Sequence, residues 1–107
     1  MTHEPLTIEA FQGHIRARYF HADSARGTPA TFLWFIEEVG ELATALHGAS
    51  PKQDQASRAV DANRKNLQEE FADVFAWLCT LANINDVDLA EALRAKYLSG
   101  EGPKGHK

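Results

Sequence analysis

Four acidic residues of the chain form two short patterns that could hold a metal ion. The patterns are Glu-Val-Gly-Glu at 38–41 and Glu-Phe-Ala-Asp at 70–73. Side chains three residues apart share one face of a helix, so each pattern presents two carboxylates together. Carboxylate oxygens suit hard cations such as Mg²⁺ and Mn²⁺. If the two segments face each other, four carboxylates converge and repel one another unless a cation lies between them.

The acidic patterns also have an ordinary explanation. Glutamate is a good helix former, and an acidic helix face can simply contact water. Trp34 lies one helical turn before the first pattern and Trp77 one turn after the second. Tryptophan at helical spacing is usually a core residue, although its ring can also stack on a nucleobase. The acidic pairs and tryptophans alone therefore leave both a metal site and a solvated helix face open.

The elements that must position these residues are helices. Apolar spacing, capping residues and breakers predict four helices and no strand. They run from a Thr7 cap to about Asp23, from Thr28-Pro29 to about His47, from about Ser57 to Ala82, and from an Asp88/Glu91 capping box to about Tyr97. Residues 24–27 are predicted as a connector and 48–56 as a loop that begins with a left-handed Gly48, while 83–85 break the third helix. The prediction is one all-α four-helix domain over residues 1–98 and a flexible tail over 99–107.

The two acidic helices each carry two stripes of residues. An apolar stripe on each is predicted to face the core. Its members are Phe32, Ile36, Val39, Ala43 and Leu46 on the second helix, and Leu67, Phe71, Val74, Leu78 and Leu81 on the third. The acidic residues and tryptophans form the other stripe. Cys79 lies in an apolar run and is predicted to be a packing residue.

Composition limits the classes of function. The net charge of −4 argues against a general nucleic-acid binder, which usually carries a basic patch. It does not exclude a phosphorylated ligand, because a bound metal inverts the local charge. A single cysteine forms no intramolecular disulfide, which suits a reducing cytoplasm. No apolar stretch is long enough to cross a membrane and the N-terminus shows no signal-peptide pattern, so we expect a cytoplasmic protein without membrane or nucleic-acid partners.

The order Glu37-Glu38-Val39-Gly40-Glu41 followed by Glu70-Phe71-Ala72-Asp73 resembles the MazG-like nucleoside triphosphate pyrophosphohydrolases of the all-α NTP pyrophosphatase superfamily. The resemblance covers about residues 28–47 and 66–97. It implies that Glu38, Glu41, Glu70 and Asp73 hold Mg²⁺, for which Mn²⁺ could substitute. The implied reaction cleaves a ribo- or deoxyribonucleoside triphosphate between the α- and β-phosphates, giving the monophosphate and pyrophosphate, and its implied role is nucleotide-pool housecleaning.

The resemblance also implies roles for residues around the metal. Glu37 corresponds to a leading glutamate that could orient or deprotonate the attacking water. Lys96 matches a lysine that can contact phosphate, although a solvated lysine at a helix C-terminus is equally expected. Trp77 or Trp34 could stack on the base, with Trp77 favoured. Asn83 or Asn85 could bind a base edge, or both could be turn residues.

The family resemblance implies a homodimer or a dimer of dimers. Active sites near a subunit interface suit so small a chain, because one protomer of this size can hardly enclose a nucleotide. Of the two assemblies, a tetramer is favoured. The residues after Tyr97 depart from the basic, proline-containing continuation of many members, which puts substrate contacts by the tail in doubt.

Two other functions compete with this interpretation. A di-iron bundle uses Glu-x-x-His, and none of the five histidines stands three residues after a glutamate. The remaining alternative is an inactive helical bundle that binds nucleotide or another protein without turnover. The presence of all four carboxylates favours an enzyme.

Overall fold

Four α-helices make up the computed structural model, which describes residues 4–48 and 57–100, with side chains in the second range from residue 62 onward. The helices are α1 Ile8–Arg26, α2 Thr28–Gly48, α3 Ser57–Ile84 and α4 Leu89–Tyr97. No strand occurs in the described ranges. The predicted all-α fold with four helices is therefore confirmed. The predicted loop at 49–56 and most of the predicted tail lie outside the described residues, so the division at residue 98 stays a prediction.

The end of α1 differs from the prediction. The hydroxyl of Thr7 accepts a hydrogen bond from the Ala10 amide at 3.0 Å, so the predicted N-terminal cap is confirmed. The helix then continues to Arg26 instead of ending near Asp23, because these two residues form an ion pair at 2.7 Å across one turn. The connector shrinks to Gly27, whose φ of 81° is strained for residues with a side chain.

The other helix ends are predicted with mixed success. Gly48 is the last residue of α2 and does not have a positive φ, so the predicted left-handed conformation there is wrong. The third helix extends to Ile84, two residues beyond the prediction. The Asp88 carboxylate accepts from the Glu91 amide at 3.0 Å, as the capping box requires. The Glu91 carboxylate binds Arg94 instead of completing the box.

Helices α2 and α3 run antiparallel and make the most extensive helix–helix contact. Their antiparallel order follows from three contacts, because residues later in α2 meet residues earlier in α3. These contacts are Trp34 with Trp77, Glu38 with Glu70, and Gly48 with Asn63. Helix α1 packs mainly on α3 and also touches α2 and α4. The described helices are thus centred on α3, which carries one of the two acidic pairs.

The predicted core stripe of α2 is wrong for the isolated protomer. Phe32 and Ile36 are each 48% exposed, and Val39 is also exposed. Ala45, which follows the acidic residues on the other stripe, is buried instead. The physical reason is that α2 contacts α3 through its tryptophan and glutamate stripe, which leaves the apolar stripe on the outside. On α3 the prediction holds in part, since Leu67 is buried and Phe71 is exposed.

The core beneath the acidic helices contains small and polar side chains. Cys79 is fully buried, which agrees with its predicted packing role, and burial raises the pKa of its thiol. Thr31 of α2 is also fully buried. A buried hydrogen-bond pair joins α1 to the end of α3: Gln12 Nε2 donates to Asn83 Oδ1 at 3.0 Å. The oxygen of Gln12 accepts from the Leu89 amide at 2.9 Å and so holds the start of α4.

Candidate metal centre

The two acidic patterns meet where α2 and α3 cross. Glu38, Glu41 and Glu70 each place one carboxylate oxygen so that the three atoms lie within 4.8 Å of one another. The i, i+3 spacing brings the two α2 carboxylates together, and the antiparallel contact adds the one from α3. Asp73 is not part of this set of three, but its charge acts on both Glu38 and Glu70. The structure therefore brings together three of the four residues predicted as ligands and leaves the fourth nearby.

The electrostatics of this cluster are those of crowded like charges. Burial, a hydrogen bond with Glu41, and the charges of Glu41, Asp73 and Glu70 raise the pKa of Glu38 to about 7. Burial and the charges of Glu41, Asp73 and Glu69 raise the pKa of Glu70. Without a cation, the cluster therefore favours protonated carboxyls where isolated glutamates would be ionised. A divalent cation would remove the repulsion and favour the ionised form.

Two carboxylate oxygens of the cluster show that it fits a cation. The Oε2 atoms of Glu38 and Glu70 are buried and make no hydrogen bond. Buried carboxylate oxygens without a partner are costly in a folded protein, and a metal ligand bond removes that cost. The donor set consists of oxygens alone, which suits Mg²⁺ or Mn²⁺ and does not suit metals that prefer nitrogen or sulfur. The residues present therefore fit a hard divalent cation.

A pair of tryptophans lies next to the acidic cluster. The rings of Trp34 and Trp77 are nearly parallel, with an interplanar angle of 11° and centroids 6.2 Å apart. Each ring is four residues from a carboxylate of the cluster region, about 6 Å along its helix. The guanidinium carbon of Arg26 lies 5.2 Å from the Trp77 centroid. The structure thus gathers both predicted stacking residues on one side of the carboxylates.

A cavity on the α1 side of Trp77 contains a polar pair that is not among the predicted site residues. Asp23 is buried, and its Oδ1 accepts from Arg26 Nη2 at 2.7 Å. Arg26 lies in the predicted connector, where no site residue is expected. The i, i+3 spacing of an acid and a base was the signal that could have predicted both the ion pair and the longer helix.

A comparison with known protein families shows to which family this chain belongs. A family model described as the MazG nucleotide pyrophosphohydrolase domain matches residues 26–97, which is most of the chain. The chain belongs to the MazG family. The match includes the three clustered glutamates, Asp73 and both tryptophans. No curated protein sequence matches the chain significantly.

Membership in the MazG family indicates the general class of reaction, substrate and metal dependence. MazG domains belong to nucleotide pyrophosphohydrolases, which are hydrolases that act on nucleoside triphosphates and generally depend on a divalent metal. The acidic cluster lies inside the matched range, whereas α1 up to Ala25 lies outside it. None of the helices in the described ranges is long and apolar enough to span a membrane.

The other predicted site residues of the MazG domain are placed as follows. Glu37 is exposed on α2, beside the cluster in sequence but outside the set of three carboxylates. Lys96 is exposed on α4, with its Nζ 5.4 Å from the Tyr97 ring centroid. Asn83 is buried and bonded to Gln12 through both ends of its amide. Asn85 donates to the Thr28 hydroxyl at 3.1 Å and to the Leu81 carbonyl at 2.9 Å.

Asn83 and Asn85 are each predicted to contact a base edge or to stabilise a turn, and their hydrogen bonds help to distinguish these two roles. Both asparagine amides hold the chain where α3 ends, which is the role expected of turn residues. Ten residues separate Asn83 from Asp73 along α3, about 15 Å of helix. A base contact by Asn83 stays a prediction, and the amide that would make it is already bonded within the protein.

Proposed function

We propose that this MazG protein is a Mg²⁺-dependent pyrophosphohydrolase that converts a ribo- or deoxyribonucleoside triphosphate to the monophosphate and pyrophosphate. The observation that carries the proposal is the convergence of three glutamates from α2 and α3, two of which have a buried oxygen without a partner. Their oxygens form a ready site for the cation that a triphosphate brings with it. Nucleotide-pool housecleaning in the cytoplasm is the role proposed with this reaction.

The four carboxylates are the proposed metal ligands in this reaction. Glu38, Glu41 and Glu70 hold Mg²⁺, and Asp73 completes the set of ligands. When bound, Mg²⁺ neutralises phosphate charge and lowers the pKa of a coordinated water, and Mn²⁺ can take its place. The carboxylates keep the phosphates near α2 and α3 only while the cation is present, because the cluster alone repels a triphosphate.

Two further residues are proposed to act on water and phosphate. Glu37 precedes the cluster, is exposed and is not one of the proposed metal ligands, so its carboxylate can accept the proton of the attacking water. Lys96 offers a positive charge from α4 to an outer phosphate. Both roles come from the family resemblance.

The direct test is an assay of purified protein against a panel of ribo- and deoxyribonucleoside triphosphates with Mg²⁺. We expect equal amounts of pyrophosphate and monophosphate from at least one substrate, and no product in EDTA. Release of orthophosphate and a diphosphate would contradict the position of cleavage. No turnover on any member of the panel would favour the alternative, an inactive bundle that binds nucleotide or protein.

Replacement of Trp77 by alanine tests the proposed stacking on the base. We expect KM to rise about tenfold with a smaller change in kcat, because stacking of a base on an aromatic ring contributes about 1–3 kcal/mol. Steady-state kinetics with the best substrate of the panel measure both constants. Trp77→Phe is the matched control and should retain most of the affinity. An unchanged KM in Trp77→Ala would contradict a stacking role for this ring, and the same substitution at Trp34 would then test the other tryptophan.

We also propose that the protein forms a homodimer or a dimer of dimers through the outer face of α2. The apolar α2 face consists of Phe32, Leu33, Ile36 and Val39, all of which are exposed in the protomer. Apolar side chains at helical spacing that do not pack within their own chain indicate a contact with another chain. A second copy is favoured because burial of this face would bring two metal centres close to a subunit boundary, which suits so small a domain. A tetramer remains the favoured assembly.

Replacement of Ile36 by glutamate tests this interface. We expect the assembly to dissociate to the protomer, because the substitution places a charge at the centre of the apolar α2 face. Mass photometry or sedimentation velocity measures the change in mass. Leu98→Glu is the control, since Leu98 is exposed at the end of α4 and is not part of the apolar α2 face. An unchanged mass in Ile36→Glu would place the interface elsewhere.

A further inference from the structure

A cavity of about 420 Å³ lies between α1 and α3, on the side of Trp77 that faces α1. Its lining combines aromatic, apolar and buried polar side chains. They are Ile15, Tyr19, Asp23, Arg26, Trp77 and Thr80, with Ala76 beside them. A cavity with aromatic walls and a few polar groups is the usual form of a small-molecule subsite.

One atom in this lining has no partner. Asp23 is only 4% exposed, and its Oδ2 atom is buried without a hydrogen bond. Its other oxygen accepts from Arg26. A buried acceptor without a partner destabilises the fold, so the position favours a ligand that donates a hydrogen bond.

The ion pair between Asp23 and Arg26 indicates which kind of ligand group can donate a hydrogen bond to Asp23 Oδ2. The Arg26 guanidinium already compensates the negative charge of Asp23, and its Nη1 is directed to the Thr31 hydroxyl at 3.2 Å. A second cation next to this pair would be repelled by the guanidinium. The Oδ2 atom of Asp23 therefore favours a neutral N–H donor.

Trp77 connects the cavity to the metal centre. Its ring lines the cavity and stacks near Trp34, and it lies one helical turn from Asp73. A nucleotide whose phosphates are held at the carboxylates can therefore extend its base along this ring into the cavity. This step rests on the proposed function, which places the phosphates.

We propose that the cavity binds the nucleobase and that Asp23 accepts a hydrogen bond from an exocyclic amino group, so that cytosine is preferred to uracil. An amino group donates to a carboxylate, whereas a carbonyl at the same position only accepts. The ring N–H of uracil lies between two carbonyl oxygens, and its approach to Asp23 would bring one of them against the carboxylate. Asp23 lies on α1, outside residues 26–97 that match the MazG family model.

The test compares two substrates that differ at this group and at the ring nitrogen next to it. We expect kcat/KM for dCTP to exceed that for dUTP at least about tenfold, because a charged acceptor strengthens the hydrogen bond. Asp23→Asn should bring this ratio close to one, because an amide can also donate to a carbonyl. A ratio is measured within one protein sample, so a loss of folded protein lowers both rates and leaves it unchanged.

A binding measurement separates this proposal from the proposed function. Calorimetry with dCMP and dUMP in the presence of Mg²⁺ requires no turnover, and dCMP should bind the wild-type protein more tightly. This result without any hydrolysis would refute the proposed reaction and support the base subsite. Hydrolysis with equal rates for dCTP and dUTP, or a ratio that Asp23→Asn leaves unchanged, would overturn the role of Asp23.

Discussion

Replacement of Glu38 by glutamine is expected to lower kcat/KM for pyrophosphate release by about a thousandfold. The substitution keeps the shape of the side chain and removes a charged ligand from the cluster that Glu38 forms with Glu41 and Glu70. Metal-ion catalysis provides several kcal/mol of transition-state stabilisation, and each 1.36 kcal/mol is a factor of ten in rate. Glu70→Gln should have an effect of the same order, because it removes the α3 side of the site.

The same variants should be at least as well folded as the wild type. The Glu38 carboxyl is desolvated and surrounded by like charges, so the uncharged amide removes repulsion and should raise the melting temperature of the metal-free protein. Loss of activity together with a higher melting temperature separates loss of the metal site from loss of structure.

Glu69→Gln is the matched control for this experiment. Glu69 is the exposed neighbour of Glu70 on α3 and is not among the clustered carboxylates. Its replacement should change kcat/KM by no more than a few-fold. If Glu38→Gln retained full activity, or if Glu69→Gln were equally inactive, the assignment of the metal centre to Glu38, Glu41 and Glu70 would be wrong.

The second large effect expected is a dependence of stability on pH that Mg²⁺ reverses. The pKa of Glu38 rises from 4.5 to about 7 on folding, and that of Glu70 is also raised. The folded state therefore holds protons that the unfolded state releases. By linkage, these groups favour the folded state below pH 4.5, and this contribution is lost as the pH rises towards 7. The metal-free protein should accordingly become less stable across this interval.

Mg²⁺ should have the opposite effect on stability. It binds the ionised carboxylates, so it should stabilise the protein strongly at pH 8 and little at pH 5. At about one hundred times its dissociation constant, a ligand stabilises by about 2.7 kcal/mol. For a domain of this size, that amounts to a rise in melting temperature of roughly 10 °C.

Thermal melts at several pH values between 5 and 8, with Mg²⁺ or with EDTA, measure both effects. Glu38→Gln is the control for the titration, since the difference between wild type and variant isolates this carboxyl from the histidines. An equal Mg²⁺ shift at pH 5 and pH 8 would contradict binding at ionised carboxylates. A metal-free wild type that gained stability relative to Glu38→Gln between pH 5 and 7 would contradict the electrostatic account of the cluster.

The wrong assignment of the apolar stripe of α2 has a clear physical reason. Periodicity shows that Phe32, Ile36 and Val39 share a face, but it does not show what covers that face. An apolar stripe is expected to pack within its own chain, whereas here α2 turns its tryptophan and its glutamates towards α3. This packing brings the acidic residues of the two helices together at one crossing, as the proposed metal centre requires. Sequence patterns describe one helix at a time and therefore do not distinguish the core from a surface that another subunit could cover.

The end of α1 shows the same limit at a smaller scale. Asp23 and Arg26 are ordinary polar residues near a glycine, and composition predicts a connector there. In the folded chain they pair over Trp77, a residue of α3 more than fifty positions away. The cavity that they line exists only because α1 packs across α3.

The four carboxylates of the two acidic patterns show what local sequence decides and what tertiary packing decides. Their i, i+3 spacing alone determined that each pair shares a helix face, and local patterns alone predicted four helices and the caps at Thr7 and Asp88. Both follow from interactions within a few residues, which the order of amino acids specifies directly. Only the tertiary structure decided that α2 and α3 cross at their glutamates, that two carboxylate oxygens of this cluster are buried without a partner, and that the apolar α2 face lies outside. These features depend on the packing of helices distant in sequence, where burial and mutual repulsion change the chemistry of a residue without changing its type.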